Sequence, residues 1–174
     1  MTTPTQMLRE EHRVILRALA VLEAGAERLA GGGALAEGWW EQAIEWLRAF
    51  ADRNHHAKEE RYLFPALAQA GVPAEGGPVA VMLAEHVEGR ALIAAMASAD
   101  PRGRPGAARR YIRLLRDHID KENGVLFPLA DAVIEPQAQQ ALAREFETVE
   151  AEQGRAASLE HAEADVERLA AALG

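Results

Sequence analysis

The sequence has no cysteine, few aromatic residues and no long apolar run. The absence of cysteine excludes disulfides, thiolate zinc sites and cysteine-ligated iron–sulfur clusters, so a bound metal must be held by histidine and carboxylate groups. Aromatic residues make up 5% of the chain, and the abundance of alanine and leucine favours packed helices over sheet. No apolar run is long enough to cross a bilayer, and the N-terminus lacks the apolar core of a signal peptide. We therefore expect a cytoplasmic protein that does not contact membranes.

The chain is acidic, with a formal net charge of −8 at pH 7. Phosphate backbones repel such a chain, so we expect no nucleic-acid partner. Its 174 residues are enough to bury a core without disulfides and suit one domain. We predict a single domain over residues 1–174, and the sequence indicates no particular protein partner.

Breaks rich in glycine and proline divide the chain into segments with helical periodicity, and none of these segments alternates like a strand. The pattern predicts four long helices, over about residues 4–30, 37–70, 78–98 and 106–133. Four long helices with short connections pack most simply as an antiparallel up-down bundle. The predicted fold is therefore all-α, with a four-helix bundle over about residues 4–133.

Prolines mark further features of this helical pattern. Pro65 and Pro128 lie inside the second and fourth helices, where a proline is expected to kink the helix. Pro136 begins an acidic C-terminal helical extension over about residues 136–172, and Gly154 divides it before a last helix over about residues 155–172. We expect the extension to lie outside the bundle or to cap one end.

The second and fourth helices contain the same motif, His-x-x-Lys-Glu-x-x-x-Leu-Phe-Pro, which begins at His55 and again at His118. A histidine and a glutamate four residues apart lie on the same face of a helix, so one metal ion can bind both. The first and third helices each offer a Glu-His pair, at His12 and at His86. The chain therefore divides into two halves, each with two histidines and one glutamate.

Six candidate metal ligands follow from this repeat: His12, His55, Glu59, His86, His118 and Glu122. Each lies within an apolar stripe that must face a core. Burial of a carboxylate among apolar residues is costly unless a positive group pairs with it, and a shared pair of dications would offset that cost. Imidazole and carboxylate ligands suit iron, manganese or zinc, and two glutamates able to bridge favour a two-metal centre.

Two other histidines test how specific the pattern is. His56 also has a glutamate four residues later, but the rest of its helix face is polar, so we expect it to point to solvent. His161 follows a glutamate but has no His-x-x-x-Glu partner, so we interpret it as a surface residue.

The double motif resembles the hemerythrin-like HHE cation-binding domain, over about residues 4–133, and in particular its six-ligand bacterial branch. The resemblance implies an antiparallel bundle around a non-haem di-iron centre, with zinc or manganese as possible substitutes. By the same resemblance, Glu59 and Glu122 bridge the irons. His12 and His55 then complete one iron, and His86 and His118 the other.

The chain departs from the oxygen-carrying hemerythrins at two places. Those proteins have a second histidine one turn after the third-helix ligand, where this chain has Arg90. Their second bridging carboxylate is an aspartate in a differently spaced motif, whereas here it is Glu122. Six ligands leave more open positions on the irons, which suggests reactivity and not only reversible oxygen carriage.

The expected function is therefore that of a di-iron protein that binds or reduces a small oxidant: oxygen, peroxide or nitric oxide. Such a protein is a possible peroxide- or nitric-oxide-reactive oxidoreductase with a role in stress response. The alternatives are an iron or oxygen sensor that signals through the acidic segment over residues 135–167, and an iron-storage or repair protein that binds without turnover. The absence of a cysteine-containing module weighs against repair. A plain helical bundle without metal is the third interpretation.

Overall fold

The computed structural model describes residues 2–98 and 100–174, and every regular element within them is a helix. Helix α1 spans Pro4–Ala30 and α3 spans Pro78–Met96. Helix α2 occupies residues 39–69, with α-helical Trp39–Trp46, π-helical Leu47–His56 and Glu59–Leu63, and α-helical Phe64–Gln69. Helix α4 occupies residues 104–133, with α-helical Arg104–Lys121, π-helical Glu122–Leu126 and α-helical Phe127–Val133.

Two shorter helices follow the bundle. Helix α5 spans Pro136–Gln153 and α6 spans Leu159–Ala171, with a 3-10 turn at Gly154–Ala157 between them. The last helix therefore begins later than the sequence predicts, because Ser158 caps it by accepting a hydrogen bond from the backbone N–H of His161. The second helix also begins later, because Gly38 has a left-handed φ of 74° that cannot continue an α-helix.

The two apolar cores of the bundle show how the four long helices run. One core contains α1 from Val14 onward and α3 from Leu92 onward, together with the earlier parts of α2 and α4. The other contains Leu8 of α1 and the start of α3, together with the parts of α2 and α4 that follow Leu63 and Leu126. Helices α1 and α3 thus run in one direction and α2 and α4 in the other. The prediction of an all-α, up-down four-helix bundle is confirmed.

The C-terminal helices pack along the bundle and do not cap its end. Phe146 of α5 is fully buried in the second core, and Val166 of α6 is buried in the first. Two tryptophan indoles of α2 donate hydrogen bonds to backbone carbonyls of α6, from Trp39 to Leu169 at 2.8 Å and from Trp46 to Ala162 at 3.2 Å. The extension is therefore part of the packed interior.

The two motif prolines follow π-helical turns. The N–H of Phe64 donates to the carbonyl of Glu59, and the N–H of Phe127 donates to that of Glu122, five residues back in each case. A proline has no N–H and its ring collides with the carbonyl four residues earlier, and the wider π turn relieves that collision. Where the sequence predicts a kink, the structure has a change of helix type.

None of the helices in the described part of the chain combines the length and the apolarity that a membrane span requires.

Candidate metal centre

The six predicted ligands meet in one layer between the two apolar cores, where four helices contribute to the same buried space. Each of them is at most 1% exposed: His12, His55, Glu59, His86, His118 and Glu122. The rings of His12 and His55 lie 4.6 Å apart between centroids, and those of His86 and His118 lie 4.8 Å apart. The histidines therefore form two pairs, as the two halves of the sequence predict.

The two glutamates lie between the histidine pairs, and each faces both. Glu59 places Oε1 at 3.4 Å from Nε2 of His55 and Oε2 at 3.4 Å from Nε2 of His86. Glu122 places Oε2 at 3.2 Å from Nε2 of His12 and Oε1 at 3.3 Å from Nε2 of His118. Each carboxylate thus divides its two oxygens between the two pairs, which is the arrangement that a bridging carboxylate requires.

Most of these carboxylate oxygens and imidazole nitrogens have no hydrogen-bond partner among the described residues. The buried atoms without a partner include both oxygens of Glu59, both oxygens of Glu122, and Nε2 of His12 and of His55. Buried polar atoms in proteins are nearly always paired, and an unpaired carboxylate is especially costly. Cations bound between them would satisfy all of these atoms at once, so the residues present fit a pair of metal ions.

The outer nitrogen of each paired histidine faces an acceptor that fixes the ring. Nδ1 of His55 lies 2.8 Å from Glu11 and Nδ1 of His118 lies 2.8 Å from Glu85. The other two rings face residues that directly follow the central glutamates: His86 lies 2.7 Å from Glu60, and His12 lies 3.0 Å from the side-chain oxygen of Asn123. Such contacts keep the hydrogen on Nδ1 and aim Nε2 at the centre, as in metal sites generally.

The sequence interpretation did not identify these four acceptors. The repeat contains a signal for two of them, since Glu11 and Glu85 directly precede the histidines of the first and third helices. Each also accepts a hydrogen bond from the lysine of a motif, Glu11 from Lys58 and Glu85 from Lys121. Glu11 in addition accepts from the side-chain amide of Asn54 at 2.8 Å.

The two halves differ in how far they are covered. Lys58 is fully buried and also donates to Glu150 of α5 at 2.7 Å, while its ammonium lies 5.9 Å from the centre of the Phe146 ring. Lys121, at the matching position, is 42% exposed. The C-terminal helix thus closes the outer side of one half only.

Charges at the centre are matched in the metal-free protein. Burial alone would lower the pKa of His86, but the adjacent carboxylates of Glu59 and Glu60 outweigh it and raise the pKa to about 9. Burial alone would raise the pKa of Glu122, but His118 and His12 hold it well below its usual range. Burial lowers the pKa of His55 to about 3 despite the nearby Glu59. A proton on His86 therefore offsets carboxylate charge at the centre, in the place that metal ions would take.

His56 does not point to solvent, and that prediction is wrong. The residue is only 5% exposed, and its ring stacks on His86 with centroids 3.9 Å apart. His56 lies in the π-helical part of α2, where more residues fill each turn and neighbouring side chains are separated by a smaller angle. Both His55 and His56 can therefore face inward, which the wider angle between neighbours in an α-helix makes harder.

Arg90, which stands where the oxygen-carrying hemerythrins have their second third-helix histidine, binds carboxylates. Arg90 binds Asp52 through two nitrogens, at 2.6 and 2.9 Å, and donates to Glu60 at 2.8 Å. It therefore neutralises two carboxylates beside the centre. His161 lies away from the centre, at the first turn of α6, with Nδ1 3.0 Å from the hydroxyl of Ser158.

The phenylalanines of the two Leu-Phe-Pro sequences cover the centre. The ring of Phe127 stacks on His12 with centroids 5.3 Å apart, and that of Phe64 stacks on His86 at 5.8 Å. Both rings belong to the second core, so this part of the motif packs just beyond the layer of the six converging side chains.

Comparison with known proteins agrees with this geometry. Uncharacterized proteins of Mycobacterium tuberculosis and Mycobacterium bovis are 29% identical to this chain over 159 residues, a match that covers 86% of this chain but 61% of each relative. The chain thus spans less than two thirds of the length of these curated relatives. No solved structure gives a significant match. Residues 3–130, which contain all six converging side chains, match the model of the hemerythrin HHE cation binding domain, and the chain belongs to that family.

Proposed function

We propose that this protein holds two non-haem iron ions and that the ion pair binds or reduces a small oxidant, namely oxygen, peroxide or nitric oxide. The observation that carries the proposal is the set of buried, unpaired carboxylate oxygens, each 3.2–3.4 Å from a histidine Nε2. Membership of a cation-binding family supports the binding of metal ions. A set of ligands made only of imidazole and carboxylate groups suits iron.

The protein residues have distinct parts in this proposal. Glu59 and Glu122 would each hold both ions, because each turns one oxygen toward each histidine pair. His12 and His55 complete one position, and the other histidine pair completes the second. Ferrous ions bound there would supply electrons and coordination positions that the protein leaves open. The aromatic and aliphatic residues above and below the layer limit the access of water.

Metal analysis joined to spectroscopy tests the proposal. Protein purified without a histidine tag should contain about two irons per chain, show a ligand-to-metal charge-transfer band, and consume added peroxide. The variant His118→Ala should lose the band and the peroxide reaction, because one ion then loses a histidine of its pair. The variant His161→Ala, which also removes one histidine, should behave like the unaltered protein.

The outcomes separate the two parts of the proposal. Protein that takes up no metal pair from ferrous, manganous or zinc solution would contradict the binding site itself. Iron-loaded protein that turns over none of the three oxidants would contradict the reactivity and leave a binding protein.

One contact chain favours a sensor as the second candidate. Glu150 of α5 accepts from Lys58, Lys58 donates to Glu11, and Glu11 holds the ring of His55. Occupation of the centre would reach the C-terminal helices through these contacts. Limited proteolysis would then cleave residues 136–171 at different rates in metal-free and iron-loaded protein. The variant Glu150→Gln should reduce the difference and Glu152→Gln should keep it, whereas identical cleavage of both forms would contradict a sensor.

A further inference from the structure

His56 is a buried histidine that is not among the six ligands that the family pattern implies. With Glu59, His86 and His118 it forms a group of four residues whose ligand atoms all lie within 4.8 Å of one another. Two donors on opposite sides of one ion, each about 2.1 Å from it, are about 4.2 Å apart. A small closing movement would therefore let all four bind a single ion.

We propose that His56 is a seventh protein ligand, so that the position completed by His86 and His118 has three imidazoles and the other position has two. This inference rests on the proposed function and assigns a residue of the same site. It concerns only α2, where His56 follows the predicted ligand His55 directly.

The orientation of the ring supports this role. Nδ1 of His56 lies 3.5 Å from Asp52, so that Nε2 is the nitrogen left for an ion. The four paired histidines have the same arrangement, with Nδ1 toward an oxygen of a neighbouring residue at 2.7–3.0 Å. Arg90 holds Asp52 in place from the other side.

Packing alone accounts poorly for a histidine at this place. The long contact of Nδ1 with Asp52 is the closest polar approach of His56 in the described residues and is not a hydrogen bond, so an apolar ring could stack on His86 here without losing one. The matching position in the second motif is Ile119, which is 1% exposed and fills the same kind of space with an apolar side chain. Of the two matching positions, the one that only packs is thus an isoleucine, Ile119, and the one beside His86 is a histidine, His56.

Nitrogen NMR of the zinc-loaded protein tests the ligand directly, with zinc as a diamagnetic probe. The chain has six histidines. In protein with ¹⁵N-labelled histidine, zinc should change the ring signals of five of them and leave His161 unchanged. If zinc changes the signals of only four histidines, and those of His56 stay unchanged like those of His161, the inference is wrong.

Variants at position 56 give an independent measurement with ferrous ion under anaerobic conditions. His56→Phe keeps a ring that can stack on His86, and His56→Ile copies the residue at position 119. Both variants should lower the affinity of the position completed by His86 and His118 for ferrous ion about tenfold or more. Loss of a residue that only orients a metal ligand already lowers the affinity of a metal site by about this factor. His161→Ala should bind both ions as the unaltered protein does, and melting of the metal-free variants shows whether they are folded.

Mössbauer spectra of the same samples separate this inference from the proposed function. The unaltered protein should show two distinct iron environments, and His56→Phe should lose or change one of them. If His56→Phe keeps both affinities and both environments, the ring only packs and this inference fails while the proposed function stands. If the unaltered protein binds no ion pair, the proposed function fails, and this inference fails with it.

Discussion

Lys58 and Lys121 occupy the same place in the two motifs but differ in burial, which makes them a matched pair. Lys58 is fully buried between Glu11 and Glu150, whereas Lys121 is 42% exposed beside Glu85. Lys58→Met leaves Glu11 buried without its cation, and we expect a loss of about 3–5 kcal/mol in the free energy of unfolding. Lys121→Met should cost less than about 1 kcal/mol, because water can solvate Glu85.

Urea denaturation of both metal-free variants measures this difference. Similar losses for the two lysines would mean that the cover provided by α5 has no energetic effect. The metal-loaded forms add a second reading, since Lys58→Met should also weaken metal binding through Glu11 and His55.

The raised pKa of His86 predicts how the metal-free protein responds to pH. Its value is about 9 in the folded protein against an ordinary 6.5, so the stabilisation from its protonation is complete below pH 6.5 and is lost as the pH rises through 9. The pKa of His118 is raised as well, through Glu122 despite burial, and acts in the same direction. For His86 we expect the free energy of unfolding to fall by up to about 3 kcal/mol over this range.

Metal binding should show the opposite dependence on pH. At neutral pH a bound ion must displace the proton of His86, so apparent affinity rises toward pH 9 and binding releases protons. Calorimetry in two buffers with different ionisation enthalpies counts the protons released. Binding without proton release at neutral pH would show that His86 is not a ligand or is not protonated.

At the level of single residues, the repeat explains which part of the centre could be predicted. Two copies of His-x-x-x-Glu and two Glu-His pairs identify the six side chains that converge, because helical spacing relates each of them to one face. His56 could not be identified in this way, since its inward position depends on the π-helical turn at Leu47–His56. Side-chain spacing in a sequence does not report the type of helix.

At the level of elements, the long helices were predictable and their local geometry was not. Glycine and proline mark the ends of all four, and the structure places those ends within a few residues of the prediction. The π turns at Glu59–Leu63 and Glu122–Leu126 come from the collision that each proline would otherwise make. The prolines thus point to the right places, but a proline alone does not determine whether a helix bends or widens.

The contact between α1 and α2 depends on one glycine. A Cβ atom at Gly25 would collide with the six-membered ring of Trp39. That ring has little freedom to move, because its indole N–H donates to the carbonyl of Leu169 at 2.8 Å. Gly25→Ala should therefore lower the free energy of unfolding by about 1–3 kcal/mol, although alanine is the better helix former.

Gly106→Ala is the control for this substitution, since nothing lies within 4 Å of a Cβ at that position of α4. It should leave the free energy of unfolding unchanged or raise it by up to about 1 kcal/mol. Chemical denaturation compares the two variants. A stabilised Gly25→Ala protein would mean that α1 can move away from Trp39 without loss.

At the level of the whole molecule, the C-terminal helices break the two-fold pattern of the bundle. Each half supplies the same motif, but only the half with His55 is covered, by Phe146 and Glu150 of α5. The other half leaves Lys121 and Arg90 partly in water. The sequence repeat predicts equivalence, and it contains nothing about which face of the bundle an added helix will cover.

We predict that the extension and the bundle unfold together, and a substitution of one core residue tests this. Phe146 is fully buried among residues of the bundle, so Phe146→Ala should lower the free energy of unfolding by about 3–5 kcal/mol. If the chain is one cooperative unit, amide hydrogen exchange in α3 should accelerate by the same free energy, although α3 itself is unaltered. Leu159→Ala, at a residue 39% exposed, should change either quantity by no more than about 0.5 kcal/mol. Faster exchange confined to α5 and α6, with α3 as protected as before, would show instead that the extension folds on a bundle already stable without it.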